Sequence, residues 1–314
     1  MLAVLLYFSA FQHSSKMVEL TAQTQMCMGV LLLVLGVLGI VLCLVEISEI
    51  IRQRSINSFK YFRMSHAITH GVAQLVVVTI FISSQLLMFG KQWIDASVVG
   101  YVALSFQFNS LYTAFTMSLN RLASLTVPTS YSKIFSPRHT ALIVIGTWAF
   151  SFTTCSMLLI KDCNFNFIGS EAEFAFSDSQ CGQFIARYVD IVYNSVLVMT
   201  IIPIDILSLF LLHKIAKKRA ERTRYLRKEK PWFIQTLLNS LVFACMLVFF
   251  HVAVFFDNAV VRFLMTTVAW EIWLMSPQII AIILLNDTRR AYSQLFCYFK
   301  KKSANVMVAR SSQK

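Results

Sequence analysis

Two histidines at four-residue spacing are the first feature of this sequence that could do chemistry. His66 and His70 share one face of a helix, and an HxxxH pair can ligate a metal in membrane hydroxylases and desaturases. Such enzymes need more histidines than these two. The other four histidines of this chain are too dispersed in sequence to complete a di-iron site: His13, His139, His213 and His251. We therefore interpret the pair as polar packing beside Gln74. HExxH, GxSxG and P-loop patterns are also absent, so the sequence predicts no enzyme, no metal and no cofactor.

Two charged residues associated with apolar segments are the next candidates. Arg121 ends such a segment. Its guanidinium either extends into the headgroup layer, or acts as a donor fork that holds helices together and meets a partner when they separate. Asp205 lies inside another apolar segment, so its carboxyl group must be neutral or paired. It is either a functional site or an acid solvated by a cavity.

Two of the seven cysteines lie together between apolar segments. Cys163 and Cys181 fall in one loop that is expected on the oxidising side of a membrane, which predicts a disulfide; the alternative is two free thiols. Cys297 lies in residues 291–299, whose apolar residues recur at four-residue spacing. This pattern predicts a short amphipathic helix on the inner membrane face, where Cys297 is either palmitoylated or buried.

These residues are positioned by apolar segments long enough to cross a membrane. The 314 residues are 57% hydrophobic and 14% charged, with a mean hydropathy of +0.66, whereas soluble proteins carry about 25% charged residues. A bilayer core requires about 20 apolar residues of helix. The sequence predicts an all-α membrane protein, a bundle of seven transmembrane helices, and the third helix is polar enough to belong at its centre. The seven spans are 27–45, 66–89, 97–119, 141–160, 184–212, 233–256 and 263–285.

The distribution of charge predicts the orientation. The chain has 28 Lys and Arg against 15 Asp and Glu, for a net charge of +13. Most of the basic residues follow spans one, three, five and seven, above all in the basic run 214–230. Cytoplasmic loops collect Lys and Arg, so the N-terminus is predicted to be extracellular. The basic excess thus reflects topology and attraction to anionic membrane lipid, with no nucleic-acid partner, and the run 214–230 either only anchors the chain or also forms a partner surface.

The predicted organisation is one membrane domain with short flanks. Residues 1–26 form an extracellular N-terminus, of which residues 1–11 are a weakly signal-like apolar segment without a positive start. Residues 27–285 form the seven-transmembrane domain. Residues 286–314 form the cytoplasmic amphipathic helix and a basic tail.

A family resemblance starts where span three ends. In rhodopsin-like receptors an Arg ends this span, a Pro follows seven residues later and a Tyr three residues after that; Arg121, Pro128 and Tyr131 match this signature. Residues 131–136, which read YSKIFS, resemble the nematode serpentine receptor class x, a chemoreceptor group of the rhodopsin-like superfamily. Further residues fit the same pattern: Gly36, Gly39, Pro203, Asp205 and Pro277.

The sequence departs from the superfamily pattern at several of its switch positions. Ile40 follows Gly39 where these receptors have Asn, and Asn120 precedes Arg121 where they have an acid. Span seven reads SPQII after residue 275 instead of NPxxY. The outer end of span three has no Cys, so the predicted disulfide is internal to its loop.

The resemblance implies a G protein-coupled chemosensory receptor. Such a receptor would bind an environmental small molecule or peptide and activate a heterotrimeric G protein, at the plasma membrane and in the cilia of olfactory or other sensory neurons. The residues expected to couple to the G protein are Arg121, Pro128 and Tyr131. The expected intramembrane polar switch consists of His70, Ser110, Asp205 and Pro277. A pocket open to the outside between spans three, five, six and seven would use Gln107, Asn194, Ser195, His251, Thr266 and Trp270.

Two other classes of membrane protein remain as alternatives. A ligand-gated cation channel of the insect-odorant type has the opposite orientation. A small-solute transporter usually shows an internal repeat, and no repeat is visible in this sequence.

Overall fold

Helices make up most of the part of the chain that the structure describes. The structure, a computed structural model, describes residues 20–52, 58–88, 95–218, 223–285, 289 and 292–293. The predicted signal-like segment 1–11 and Cys297 lie outside these residues. Of the predicted helix 291–299, only residues 292 and 293 are described.

Seven long helical segments follow one another in the described residues and confirm the predicted seven-helix bundle. Every helix begins before its predicted start, and spans one, three and five also end beyond their predicted ends, because long polar side chains at a helix end can reach the headgroup layer. Spans two, four, six and seven end one or two residues before their predicted ends. The first four are Ala22–Arg52; Ser58–Val72 with the π-helical Ala73–Ile82 and Ser83–Leu87; Ala96–Thr126; and Pro137–Cys155 with the 3₁₀ turn Ser156–Leu159. The last three are Gln180–Phe184 with the π-helical Ile185–Tyr193 and Asn194–Lys218; Thr223–Val252 with the 3₁₀ turn Ala253–Phe255; and Ala259–Phe263 with the π-helical Leu264–Val268 and Ala269–Leu284.

Six of these helices are long and apolar enough to cross a membrane, namely spans one, two, four, five, six and seven. In spans one, four, five and six, only 22% to 39% of the apolar stretch is buried against protein. Large apolar side chains such as Leu142, Met199 and Phe210 are exposed. Lipid accommodates such surfaces and water does not, so the chain is a multi-pass membrane protein. Span three differs because its polar residues, including Asn109 and Ser110, are buried among the other helices, as its composition predicts.

Side-chain caps fix where several helices begin. Asp95 accepts a hydrogen bond from the Ser97 amide at 3.0 Å before span three. Ser136 accepts one from the His139 amide before span four, where Pro137 occupies the first turn. Both residues satisfy backbone N–H groups that would otherwise have no partner at the start of a helix.

A short β-hairpin covers one end of the bundle, called here the hairpin end. Strand β1, Phe165–Ile168, pairs antiparallel with strand β2, Glu173–Phe176. A disulfide joins Cys163 to Cys181 within the same loop and confirms the predicted bridge. The hairpin lies against Gly100 of span three, where a Cβ atom would come 1.6 Å from the Phe165 carbonyl oxygen. A glycine at this position is therefore required for the hairpin to dock on span three.

Candidate functional site

A pocket at the hairpin end lies between spans three, five, six and seven. Phe165 of β1 and Phe174 of β2 cover it, and Trp270 Nε1 donates a hydrogen bond to Gln107 Oε1 at 3.1 Å. The cavity volume is about 30 Å³, roughly the space of two water molecules, so side chains must move before a larger molecule fits. We call it the hairpin-end pocket. Its lining residues are Ala103, Leu104, Gln107, Phe165, Phe174, Asp190, Met246, Leu247, Phe250, Thr266, Thr267 and Trp270.

Ion pairs hold the hairpin over this pocket. Arg262 at the start of span seven lies 3.7 Å from Glu171 and 3.4 Å from Glu173, measured between nitrogen and carboxylate oxygen. Thr267 donates a hydrogen bond to the Ala172 carbonyl oxygen at 3.0 Å. Burial raises the pKa of Glu173 to about 7; the positive charge of Arg262 opposes this rise and Glu171 adds to it. The cover of the pocket therefore contains a carboxyl group that titrates near neutral pH.

Three of the six residues predicted to bind a ligand line this pocket: Gln107, Thr266 and Trp270. Asn194 and His251 lie at its edge, where both face Asp190. Ser195 is half-buried on span five and is not one of the lining residues.

Asp190 is the acidic residue of the pocket, and the sequence patterns did not single it out. Its side chain is buried, Asn194 Nδ2 donates a hydrogen bond to its Oδ1 at 2.9 Å, and its Oδ2 lies 3.8 Å from His251 Nε2. It belongs to the π-helical part of span five, and π-helical turns are frequent at functional sites. The signal that could have found it is the one that selected Asp205, an acid inside a predicted membrane span.

A polar cluster joins spans two, three and seven in the middle of the bundle. His70 Nδ1 lies 2.7 Å from the Leu274 carbonyl oxygen, which can only accept, so Nδ1 donates. In the neutral ring, Nε2 then accepts from Ser110 Oγ at 2.8 Å. The Ser110 oxygen in turn accepts from His66 Nε2 at 3.1 Å. Two predicted switch residues, His70 and Ser110, are thus in direct contact, and no group of metal-binding side chains occurs among the described residues.

Two further polar side chains in the bundle stay without hydrogen bonds in the described part of the chain. The amide atoms of Gln74 are buried and have no hydrogen-bond partner there, so the predicted packing of Gln74 beside the histidines brings no hydrogen bond. Both carboxylate oxygens of Glu271 in span seven are buried and have no hydrogen-bond partner among the described residues either. The sequence patterns did not select Glu271, although the argument from a buried intramembrane acid applies to it as well.

At the opposite end of the bundle, called here the Arg121 end, Arg121 is enclosed by spans two and six. Its guanidinium donates a hydrogen bond to Thr236 Oγ1. Its central carbon lies 4.6 Å from the ring centroid of Phe59 and 5.0 Å from that of Phe233. Only 4% of the Arg121 surface is exposed. A partner therefore cannot reach this side chain unless span six moves.

A second arginine holds the same part of span six. Arg63 of span two lies 4.3 Å from the ring centroid of Trp232 and 3.1 Å from Glu46 Oε1 of span one. Cation–π contacts of this kind are worth about 0.5–2 kcal/mol each, depending on desolvation. We call Arg63 and Arg121 with Trp232 and Phe233 the span-six clamp.

The remaining residues predicted for coupling lie beside the clamp. Pro128 begins the short helix Pro128–Ile134 and is exposed. Tyr131 from this helix donates a hydrogen bond to Asn120 Oδ1 at 3.0 Å, and its hydroxyl lies 2.7 Å from Ser58 Oγ. Asn120 thereby holds the short helix against the end of span three.

The last two predicted switch residues contact span six. Asp205 accepts a hydrogen bond from Ser240 at 3.4 Å. The Pro277 carbonyl oxygen accepts a hydrogen bond from Gln235 Nε2 at 3.2 Å. Both contacts therefore depend on the position of span six.

Comparisons with known proteins agree with this arrangement. Residues 33–284 match the family model of the serpentine type 7TM GPCR chemoreceptor Srx. Over 133 residues the chain is 29% identical to serpentine receptor class X-43 of Caenorhabditis elegans, with 41% of each chain covered. Over 58 residues it is 41% identical to serpentine receptor class X 45 of the same organism, with 18% of this chain and 16% of that one covered. The chain thus spans less than half the length of the curated relatives that it matches.

The fold is also similar to that of solved receptor structures. The crystal structure of squid rhodopsin superposes with a TM-score of 0.71 over 90% of this chain and 84% of that one. The sequence identity is 14%, so this likeness concerns the fold alone.

Proposed function

The chain belongs to the Srx family of serpentine 7TM chemoreceptors, and on that premise we propose that it is a G protein-coupled chemosensory receptor. It binds an environmental small molecule or peptide in the hairpin-end pocket and activates a heterotrimeric G protein at the Arg121 end. The family is one of receptors and not of enzymes.

Two arguments support an extracellular hairpin end. Disulfides such as Cys163–Cys181 form and persist mainly in oxidising compartments. The Lys and Arg residues crowd the loops at the Arg121 end, as they do on the cytoplasmic side of membrane proteins. Residues 27–285 then form the receptor domain, with residues 1–26 outside the cell and 286–314 inside. The family resemblance suggests the plasma membrane of sensory neurons, in their cilia, as the location.

One observation carries the proposal: the same two helices line the pocket and hold the buried arginine. Span three contributes Gln107 to the pocket and carries Arg121 near its opposite end. Span six contributes Phe250 to the pocket and holds Phe233 and Thr236 against Arg121. A ligand that enlarges the contracted pocket shifts span six, and a shift of span six opens the clamp.

The residues take their roles from this coupling. Gln107, Thr266 and Trp270 contact the ligand directly, while Asn194, Ser195 and His251 shape the span-five and span-six walls. His70, Ser110, Asp205 and Pro277 transmit the shift through polar contacts between helices. Arg121, once released, donates to the G protein, and Pro128 and Tyr131 present the short helix beside it.

The test uses cells that express the full chain, tagged at both ends, with a promiscuous G protein and a library of odorants and peptides. We expect antibodies to reach the N-terminal tag on intact cells. We also expect at least one compound to elicit a response, and GDP-β-S should block that response. An intracellular N-terminus, or a current that persists under GDP-β-S, would contradict the receptor and favour the channel class.

A further inference from the structure

Asp190 places a buried acid in the wall of the hairpin-end pocket, ten residues after its membrane-spanning helix begins at Gln180. Only 4% of its surface is exposed. A carboxylate is costly to bury unless a positive charge or several hydrogen bonds compensate for it. In the described structure it receives one hydrogen bond, from the neutral amide of Asn194 at 2.9 Å.

The surroundings of Asp190 supply little positive charge. None of the described residues that line the pocket is Lys or Arg. His251 Nε2 lies 3.8 Å from Asp190 Oδ2, longer than a hydrogen bond, and the imidazole is neutral unless it takes up a proton. A charged Asp190 carboxylate can thus accept a further hydrogen bond from a cation on the side that faces the pocket.

The other walls of the pocket consist largely of aromatic side chains, which favour a cation. Phe165, Phe174, Phe250 and Trp270 all line the pocket. Aromatic ring faces attract ammonium groups, and the attraction increases when water is excluded. A carboxylate beside several aromatic rings in a closed site is suited to a protonated amine carried on an apolar body.

We propose that the hairpin-end pocket binds small arylalkylamines, with the ammonium group donating a hydrogen bond to Asp190 and the aromatic body packed among the Phe and Trp side chains. The proposal rests on the proposed function only in taking this pocket as the ligand site. The cavity of about 30 Å³ is smaller than a single aromatic ring, so even a small arylalkylamine requires Phe165 or Phe174 to move on binding. This movement links ligand entry to the hairpin.

Matched pairs of amines and alcohols test the role of the charge. The full chain in lipid nanodiscs is titrated, by ligand-observed NMR at neutral pH, with benzylamine, phenethylamine and tryptamine, and with benzyl alcohol, phenethyl alcohol and tryptophol. We expect at least one amine to bind about tenfold or more tightly than its alcohol, since breaking a buried charge pair costs several kcal/mol. If no amine binds better than its alcohol, the proposal is wrong.

The variant Asp190→Asn tests whether the Asp190 carboxylate causes the preference for the amine. It should remove the advantage of the amine, so that the amine and its matched alcohol bind with similar affinities. Asp257→Asn is the matched control, because Asp257 is an exposed acid between spans six and seven at the same end of the bundle. An amine preference that survives in Asp190→Asn, or that is lost in Asp257→Asn, would overturn the assignment.

A second variant covers the case in which Asp190→Asn does not fold. Asp190→Glu keeps the charge and should keep the amine preference at reduced affinity; equal binding of amine and alcohol by the folded Glu variant would contradict the proposal. These titrations contain no G protein. Amine binding without G protein activation would therefore refute the receptor function alone, and activation by uncharged ligands without amine binding would refute this inference alone.

Discussion

The guanidinium carbon of Arg121 lies 5.0 Å from the ring centroid of Phe233, so the end of span three is packed against the first turns of the apolar part of span six. The same guanidinium donates a hydrogen bond to Thr236, one turn further along. The contacts of Arg121 thus depend on the position of span six, and in this arrangement the Arg121 side chain is inaccessible to a partner.

Substitutions at Arg121 should separate a signalling role from an anchoring role. Arg121→Ala should leave surface expression and ligand binding nearly unchanged and abolish G protein activation. Arg121→Lys should recover little, because an ammonium group cannot reproduce the planar donor fork. Surface labelling, binding and nucleotide exchange are measured for both variants, with Arg138→Ala as an exposed basic control at the same end. Good coupling by Arg121→Lys would indicate a headgroup anchor instead.

The Cys163–Cys181 bridge should stabilise the cover of the pocket. The two residues are 18 apart in sequence, and loop-closure arithmetic assigns about 3 kcal/mol to a bridge of this size. We expect the double replacement by Ser to lower the thermal unfolding temperature and weaken ligand binding, whereas Cys245→Ser, at an exposed thiol in span six, should change neither. Non-reducing peptide mapping of the wild type should yield one linked peptide; two alkylated thiols would contradict the bridge.

Glu173 should make the stability of the hairpin depend on pH. Its pKa in the folded protein is about 7, above its ordinary value of 4.5, because burial disfavours the charge. Between these two pH values the folded state therefore binds more protons than the unfolded state. The stabilisation that protonated Glu173 provides is fully present below about pH 4.5 and is lost as the pH rises through 7. Thermal unfolding is measured at about pH 5 and about pH 8. Between these values the free energy of unfolding should fall more for the wild type than for Glu173→Gln, with a difference on the order of 1–3 kcal/mol.

Glu171 provides a control for this pH dependence. Its negative charge contributes to the raised pKa of Glu173. Glu171→Gln should therefore shift the loss of stability to lower pH. An unchanged or upward shift would mean that another group titrates.

Gly100 and Gly146 form a matched pair of helical glycines. A Cβ at Gly100 would come 1.6 Å from the Phe165 carbonyl oxygen, whereas a Cβ at Gly146 has nothing within 4 Å. Gly100→Ala should displace the hairpin at a cost of about 1–3 kcal/mol or more and weaken binding in the pocket. Gly146→Ala should be neutral or slightly stabilising, since Ala is the better helix former. Equal unfolding temperatures for the two variants would contradict the docked position of the hairpin.

The spans and the disulfide could be predicted because local features encode them. A stretch of about 20 mostly apolar residues marks each span except the more polar third one, and Cys163 and Cys181 share one loop. Span three was recognisable as central because its polar residues cannot face lipid. Among the seven described helices, the other six are apolar enough over their length to cross a membrane, and this one is not.

The site depends on contacts between residues far apart in sequence, which no local pattern encodes. Arg63 meets Trp232 only because spans two and six approach each other at the Arg121 end, and Asp190 meets His251 only because spans five and six are neighbours. The four-residue strands of the hairpin are too short to show a clear alternation. The π-helical turn that carries Asp190 leaves no signature in the residue types.

The span-six clamp offers the most direct test of the account, because opening it requires no ligand. Trp232→Ala removes the contact with Arg63. It should raise basal nucleotide exchange on at least one class of Gα subunit about three- to tenfold, as expected for the loss of roughly 1 kcal/mol of closed-state stabilisation. Trp148→Ala in span four is the control, since Trp148 donates a hydrogen bond to Ser65 and packs against Phe106 and Phe152, whereas the cation–π contacts of the two clamp arginines are with other rings.

The decisive measurement is basal exchange in the double variant Trp232→Ala/Arg121→Ala, in membranes with matched surface levels. The account predicts that removing Arg121 abolishes the exchange gained by Trp232→Ala, because the released guanidinium is the group that meets the G protein. Exchange that persists without Arg121, or a normally expressed Trp232→Ala with no gain on any Gα class, would contradict it.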